Sequence, residues 1–295
     1  MPHVRASKRP EGQPTRGKTA SNRLRRVDNF ILLYEPSLLT RTASTSLSPG
    51  SSLFAPHLPS NQSERYGVAD AMFVDLGYGF DARTTLESAA RFRRVNPNLK
   101  ILGVEIEKER VETALPYADD KTFFRLGGFN LPLQQGEYVR LIRAFNVLRQ
   151  YEEKDFAPAY ERLAQYVLPG GLMIEGTSNP FGSIWSANLA RRIADGSWKM
   201  EALVFSTNFR LGFDVEEFQT ILPKNLIHHV VKGEPIFDFF EAWKRSAAET
   251  SAMKIYGARQ WFVAAGERLA ERGYNIASQR KWLTKGFLIW NYFNR

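Results

Sequence analysis

Two short stretches hold the residue types from which chemistry can be built. In Asp75-Leu76-Gly77-Tyr78-Gly79-Phe80, two glycines sit one residue apart, directly after an apolar run. Glycines there let the backbone turn tightly and leave space for a ligand lying on the turn. A helix starting after the turn would offer its positive dipole end to a carboxylate or phosphate. Glu105 follows Gly77 by 28 residues and closes the next apolar run, Ile101-Leu102-Gly103-Val104. A carboxylate in that place can accept hydrogen bonds from both hydroxyls of a ribose. Glu107 competes for the same role. A third candidate group is Lys224, Asn225 and His228, read as an extended segment in which adjacent residues point to opposite faces. At most one of His228 and His229 then faces a cleft, and His228 is the candidate base.

The elements that must position these residues can be read from hydrophobic spacing. Short buried strands are expected at residues 71–76, 100–105, 122–125, 138–143 and 172–176. Helices are expected at 84–94, 107–115 and 157–166, with Asn96-Pro97-Asn98 stopping the first and Pro169-Gly170-Gly171 forming a turn. Strands alternating with helices predict βαβ units, hence a doubly wound, mostly parallel α/β sheet with ligands beyond the carboxyl ends of its strands. Further on, strands are expected at 203–206 and 286–290. Helices are expected at 236–247 and 256–272, their Trp and Phe residues reading as core or lid packing. Asn179-Pro180-Phe181 reads as a helix-start turn.

Two cofactor classes use a glycine turn with an acid on the next strand: dinucleotides and S-adenosylmethionine. Gly77-x-Gly79-x-x-Ala82 is compatible with the first. The ordered series Phe73-Val74-Asp75-Leu76-Gly77-Tyr78-Gly79, Leu102-Gly103-Val104-Glu105-Ile106, Asn146-Val147-Leu148 and Leu168-Pro169-Gly170-Gly171-Leu172-Met173-Ile174-Glu175 resembles class I S-adenosylmethionine-dependent methyltransferases. The likeness spans residues 66–180 and implies a seven-stranded sheet of that type. It implies that Asp75, Gly77 and Gly79 hold the methionine end of the cofactor and Glu105 the ribose. Gly127-Gly128-Phe129-Asn130 would face the adenine, through backbone groups, Asn130 and stacking on Phe129. Arg143, Phe145 and Asn146 would border the cofactor and the transferred methyl, with Arg143, Asn146 and His228 as catalytic candidates. The chain departs from the family at Asp81, where a third glycine is common, and at Gly128-Phe129, where an acid often reads the adenine amine. It has Arg143-Ala144-Phe145-Asn146 in place of the Asp/Asn-Pro-Pro-aromatic motif of amino-group methylation.

Composition narrows the alternatives. Of 295 residues, 43% are hydrophobic and 24% charged, an ordinary globular balance. Absent cysteine excludes thiolate catalysis, disulfides and Cys-ligated metal, and fits a cytoplasmic location. With four histidines no metal site is expected, and no apolar run is long enough to span a membrane. The formal net charge is +9, but residues 1–30 carry eight Lys and Arg against Glu11 and Asp28, or +6 of it. Residues 1–26 therefore read as a basic disordered tail, with an organelle transit peptide as the other reading. Residues 27–65 read as a docking helix and a Ser/Pro-rich loop. Residues 66–295 read as the catalytic domain, with a cofactor-binding core over 66–180 and a substrate or lid portion over 181–295. The expected function is transfer of the sulfonium methyl to an unidentified acceptor, a small molecule. The alternative is a methyltransferase-fold module that binds nucleic acid through residues 1–26 with little or no catalysis. A nicotinamide-dependent oxidoreductase ranks below both.

Overall fold

The computed structural model describes residues 12–13, 20–39, 71–277 and 279–292. The expected Ser/Pro-rich loop and most of the expected basic tail lie outside the described residues. The chain divides into two compact units that interleave along the sequence: residues 1–144, 157–173 and 191–199, and residues 145–156, 174–190 and 200–295.

The first unit is built on four consecutive strands, β1 (Met72–Leu76), β2 (Ile101–Glu105), β3 (Thr122–Leu126) and β4 (Val139–Phe145, whose last residue opens the second unit). β1 lies between β2 and β4, and β3 flanks β2, all parallel. The register sets Leu76 beside Val104 and Ala144, and Val104 beside Arg125, so the strand ends that matter for chemistry share one edge. Every residue of β1, β2 and β4 is buried, as expected for parallel strands covered on both faces. Two helices return the chain, α2 (Arg83–Phe92) and α3 (Lys108–Ala114). α2 buries Ala89 and Phe92, and Phe92 meets Phe73 edge to face at 5.1 Å. An N-terminal helix, α1 (Arg25–Tyr34), buries Val27, Phe30 and Ile31 completely. The expectation placed a helix from residue 27; α1 starts at Arg25.

After β4 the chain forms α4 (Phe156–Ala164) and then three long strands, β5 (Val167–Ser178), β6 (Ile184–Arg192) and β7 (Trp198–Thr207). β5 parallels β4: a Cβ on Gly171 would lie 3.0 Å from the Arg140 carbonyl, and Asn146 N–H donates to the Gly176 carbonyl at 2.8 Å. The connections 179–183 and 193–197 are too short for a parallel crossover, so β5, β6 and β7 alternate in direction. β8 (Phe287–Trp290) pairs antiparallel with β7, giving the order β3-β2-β1-β4-β5-β6-β7-β8. The fold is α/β and mostly parallel, as expected, but the sheet has eight strands among the described residues instead of seven.

The second unit closes over an aromatic core. It contains the short α5 (Glu216–Gln219) and α6 (Lys224–Ile227), then α7 (Pro235–Glu249), α8 (Ala258–Glu271) and α9 (Arg280–Thr284). Phe205 stacks on Phe239 at 5.4 Å, and Phe239 on Trp290 at 3.9 Å, with Trp243 and Phe262 fully buried among them. Phe239, Phe240, Trp243 and Phe262 are thus core, one of the two roles, core or lid packing, expected of the aromatics in this region. Three local expectations are corrected. Pro169-Gly170-Gly171 lies inside β5, not before it, with Gly170 at φ 84°. Asn179-Pro180-Phe181 turns β5 into β6 and starts no helix; Asn179 Oδ1 accepts from Ser183 N–H at 2.9 Å and its Nδ2 donates to Ser183 Oγ at 2.5 Å, which tightens the hairpin. The segment around His228 is a helical turn, not a strand.

Candidate functional site

The glycine turn follows β1 directly. Gly77 stands at φ 67° and Gly79 at φ 95°, backbone conformations that L side chains rarely adopt. Gly77 N–H donates to the Val104 carbonyl at 2.8 Å, tying the turn to the end of β2. Gly79 N–H donates to Glu105 Oε2 at 3.0 Å, and Ile106 N–H to Glu105 Oε1 at 2.9 Å. Burial pushes the Glu105 carboxyl up, while the Gly79 and Ile106 N–H groups and Arg110 pull it back. Arg110 Nη1 lies 3.6 Å from Glu105, but its Nε pairs with the more exposed Glu107 at 2.6 Å. Of the two competing acids, Glu105 is the one joined to the turn.

The turn after β3 joins the same group through the backbone. Gly127 N–H donates to the Glu105 carbonyl at 2.9 Å, and a Cβ there would lie 2.6 Å from Pro132. Gly128, Phe129 and Asn130 follow, all buried. Tyr78, between the two glycines, turns inward: it meets Phe124 edge to face at 5.4 Å and donates to the Arg110 carbonyl at 3.3 Å. Burial raises its phenol pKa further. Phe80 turns outward and half-exposed, with the Arg110 guanidinium 4.6 Å from its ring centre.

Beneath the turn lies a buried ionic array that sequence reasoning missed. Asp75 receives Arg143 Nη2 at 2.8 Å and Nε at 3.1 Å, and Thr85 Oγ1 at 2.8 Å. Thr84 Oγ1 lies 3.2 Å from both Asp75 Oδ2 and the Tyr78 carbonyl. Arg143 and Thr85 give Asp75 three donors and Thr84 shares its one hydroxyl proton between Asp75 and the Tyr78 carbonyl, so Asp75 is engaged inside the fold and does not fit the expected direct hold on a cofactor. Arg143 is completely buried, and its remaining donors go to Asp28, to Ser88 Oγ at 2.6 Å and to the Thr84 carbonyl at 3.4 Å. All five N–H groups are used, so the expected catalytic role of Arg143 is corrected: it is an internal tie between carboxylates. Its neighbour Asp28, an acid inside the apolar run Val27–Tyr34, was the one sequence signal that could have disclosed the array.

The remaining candidates belong to the second unit. Phe145 is buried and meets Trp185 edge to face at 5.9 Å. Asn146 stands at φ 61°, and its Oδ1 accepts from Ser178 N–H at 3.1 Å. Asn22 and Phe209 share that left-handed region among the described residues, and asparagine adopts it more readily than most side chains. Asn225 accepts from Asn188 at 2.9 Å, and Asn188 also reaches the buried Glu175 at 3.3 Å. His228 is exposed on the turn after α6, where Lys224 Nζ donates to its Nε2 at 3.1 Å. Its expected place on a strand facing a cleft is therefore corrected. His229 instead bridges Glu153 at 2.6 Å and Glu234 at 3.6 Å. Among the described residues no group of His, Cys, Asp and Glu is placed to hold a metal ion, and no helix is long and apolar enough to cross a membrane.

No protein-family model matches this chain, and no curated protein matches it. Among solved structures it is similar over 37% of its length to the plantazolicin methyltransferase BpumL in complex with a triazolic desmethylPZN analog and SAH (13% identity, 39% of that chain, TM-score 0.30). It is similar over 36% to human N-acetylserotonin methyltransferase in complex with SAM (24% identity, 29% of that chain, TM-score 0.29). A pericyclic reaction enzyme is matched to the same degree (14% identity, 37% of this chain, 27% of that one, TM-score 0.30). The chain spans less than half the length of these proteins. Likenesses of that extent leave the reaction to the residues themselves.

Proposed function

We propose that this protein binds S-adenosylmethionine in its first unit and transfers the sulfonium methyl to a small-molecule acceptor. The observation that carries this reading is the hydrogen bond from Gly79 to Glu105, which sets a ribose-type carboxylate over a turn that only glycines form easily. Glu105 would accept the ribose hydroxyls, oriented in advance by Gly79 and Ile106. Gly77 and Gly79 would let the cofactor approach the backbone, and Gly128, Phe129 and Asn130 would face the adenine. When bound, the cofactor supplies an already activated methyl, so the protein need only align the acceptor, and alignment can carry most of the rate. For that reason no strong base is required, and an exposed His228 is no obstacle. Asn146 is the acceptor-side candidate, its amide held by Ser178. The acceptor is read as small because residues 31–295 carry only +3 of the +9, too little to favour a polyanion.

Isothermal titration with S-adenosylhomocysteine tests the cradle. Glu105→Ala and Gly79→Val should each weaken binding at least about tenfold while leaving the circular dichroism spectrum unchanged. Unaltered affinity in both would place the pocket elsewhere. Asn146→Gly keeps the backbone conformation and removes the amide, and should leave cofactor affinity intact.

A further inference from the structure

α1 is held to the first unit by more than its apolar face. Val27, Phe30 and Ile31 already bury completely, yet the helix also carries Asp28 into the interior with no exposure. There Asp28 takes Arg91 Nη1 at 2.7 Å, Ser88 Oγ at 2.9 Å and a short contact from Arg143 Nη1. Both flanks of the helix are pinned as well. Asn22 N–H donates to Glu87 at 2.9 Å, and Glu35 pairs with Arg191 at 2.8 Å. A buried ion pair is a poor source of stability, because desolvation offsets the attraction; its attested use is to fix one geometry. Here the geometry runs in an unbroken line: Asp28 to Arg143, Arg143 to Asp75, Asp75 to Thr84, and Thr84 to the carbonyl of Tyr78 inside the glycine turn.

We propose that Asp28 is a positioning residue for the glycine turn, acting from the N-terminal helix through Arg143 and Asp75. The inference rests on the methyltransferase reading for its purpose, not for its geometry. Arg143 has two carboxylates to choose between, and Asp28 fixes its rotamer by occupying the outer half of the guanidinium fork. Without Asp28, Arg143 can rotate about its side chain, Asp75 loses its bidentate partner, and the freed carboxylate draws the single Thr84 hydroxyl proton, otherwise shared at 3.2 Å with the Tyr78 carbonyl, to itself. The turn then samples conformations in which Gly79 N–H does not meet Glu105. α1 belongs to the cofactor site through this line of contacts. The charged groups facing Asp28 are Arg91 and Arg143, with Glu87 3.6 Å from Arg91 and Asp75 on Arg143, so removing Asp28 leaves two guanidiniums against two carboxylates and acts through the lost hydrogen bonds, not through net charge.

Amide hydrogen exchange on the ligand-free full chain tests this directly, with S-adenosylhomocysteine titration alongside. In Asp28→Asn, exchange should accelerate at residues 77–79 while β7 and β8 keep wild-type rates, and affinity should fall by roughly 10- to 100-fold. Arg143→Lys keeps the charge but loses the fork, so it should reproduce both changes; a role in charge balance alone would leave it like wild type. Ser88→Ala, which disturbs no charge, should give a smaller change in the same direction and serves if Asp28→Asn does not fold. Wild-type exchange at the turn in folded Asp28→Asn or in Ser88→Ala would overturn the proposal, as would acceleration spread evenly over the chain. If the wild-type chain binds no S-adenosylhomocysteine yet the turn still loosens in the variants, the cofactor reading fails and the positioning inference stands.

Discussion

Glu105 is the residue on which the cofactor reading turns, and its surroundings give it a definite pH dependence. Burial raises its pKa above that of an ordinary glutamate. The protonated form cannot accept two ribose hydroxyls, so cofactor affinity should fall on acidification, starting at a higher pH than a solvated carboxylate would show. The effect on stability has the opposite sense. A raised carboxyl pKa means that the folded chain holds this proton more tightly than the unfolded chain. Ionising Glu105 as pH rises through that window therefore lowers stability. Titrations of affinity and of thermal midpoint across the acid range should thus slope in opposite directions for this residue, and Glu105→Gln should flatten the affinity slope. Gly103 is a second case at this scale. A Cβ there would lie 2.7 Å from the Phe124 ring and 3.1 Å from Tyr78. Gly103→Ala should cost about 1–3 kcal/mol in urea unfolding through overpacking, and should disturb the turn through Tyr78. His229 supplies a third. The Glu153 hydrogen bond holds its pKa above the ordinary value. Its contribution is full below the ordinary histidine pKa and lost as pH rises through the raised one. Both partners are more than a third exposed, so the pair is worth only ~0.2–1 kcal/mol. The thermal midpoint of wild type should exceed that of Glu153→Gln near pH 6 and match it well above the titration.

At the scale of elements, the first half of the chain was legible and the second half less so, for physical reasons. β1 to β4 are short apolar runs flanked by turn residues, and α2 shows helical spacing, so their types and order follow from pattern alone. β6 is hard to read because Ile184–Arg192 intersperses Ser, Asn and Arg among its apolar residues; Ser186 and Asn188 are nevertheless buried, Ser186 donating to the Ile221 carbonyl and Asn188 to Asn225 and Glu175. Pro169-Gly170-Gly171 read as a turn because it holds the residues turns prefer, yet tertiary pairing draws it into β5. The meeting of the glycine turn with Glu105 was legible because each closes an apolar run that reads as a strand, and neighbouring parallel strands bring those ends together. The array beneath it was not, because Asp28, Asp75 and Arg143 are far apart in sequence and only the fold brings them together. Gly176 tests the pairing of β5 with β6. A Cβ at this position would come within 2.1 Å of the Ser186 carbonyl. Gly176→Ala should therefore destabilise by at least about 1–3 kcal/mol, read as a lowered urea midpoint; a neutral outcome would contradict the β5–β6 register.

For the molecule as a whole, the +9 charge means less than it first suggests. Most of it lies in residues 1–30, and the rest of the chain is nearly balanced. The described residues instead invest in one glycine cradle with a carboxylate beside it, an ionic array behind it, and a second unit built on an aromatic core. A protein organised in this way is expected to respond to an adenosyl ligand. A ligand that binds only the folded chain stabilises it by about 2.7 kcal/mol at 100 times its Kd, so saturating cofactor should raise the thermal midpoint. The most direct test of the central claim is calorimetric titration of the wild-type chain with S-adenosylhomocysteine and, separately, with NAD. Saturable binding of the first at a single site, with none of the second, is the predicted result. No heat with S-adenosylhomocysteine at millimolar concentration, or saturable binding of NAD in its place, would contradict it.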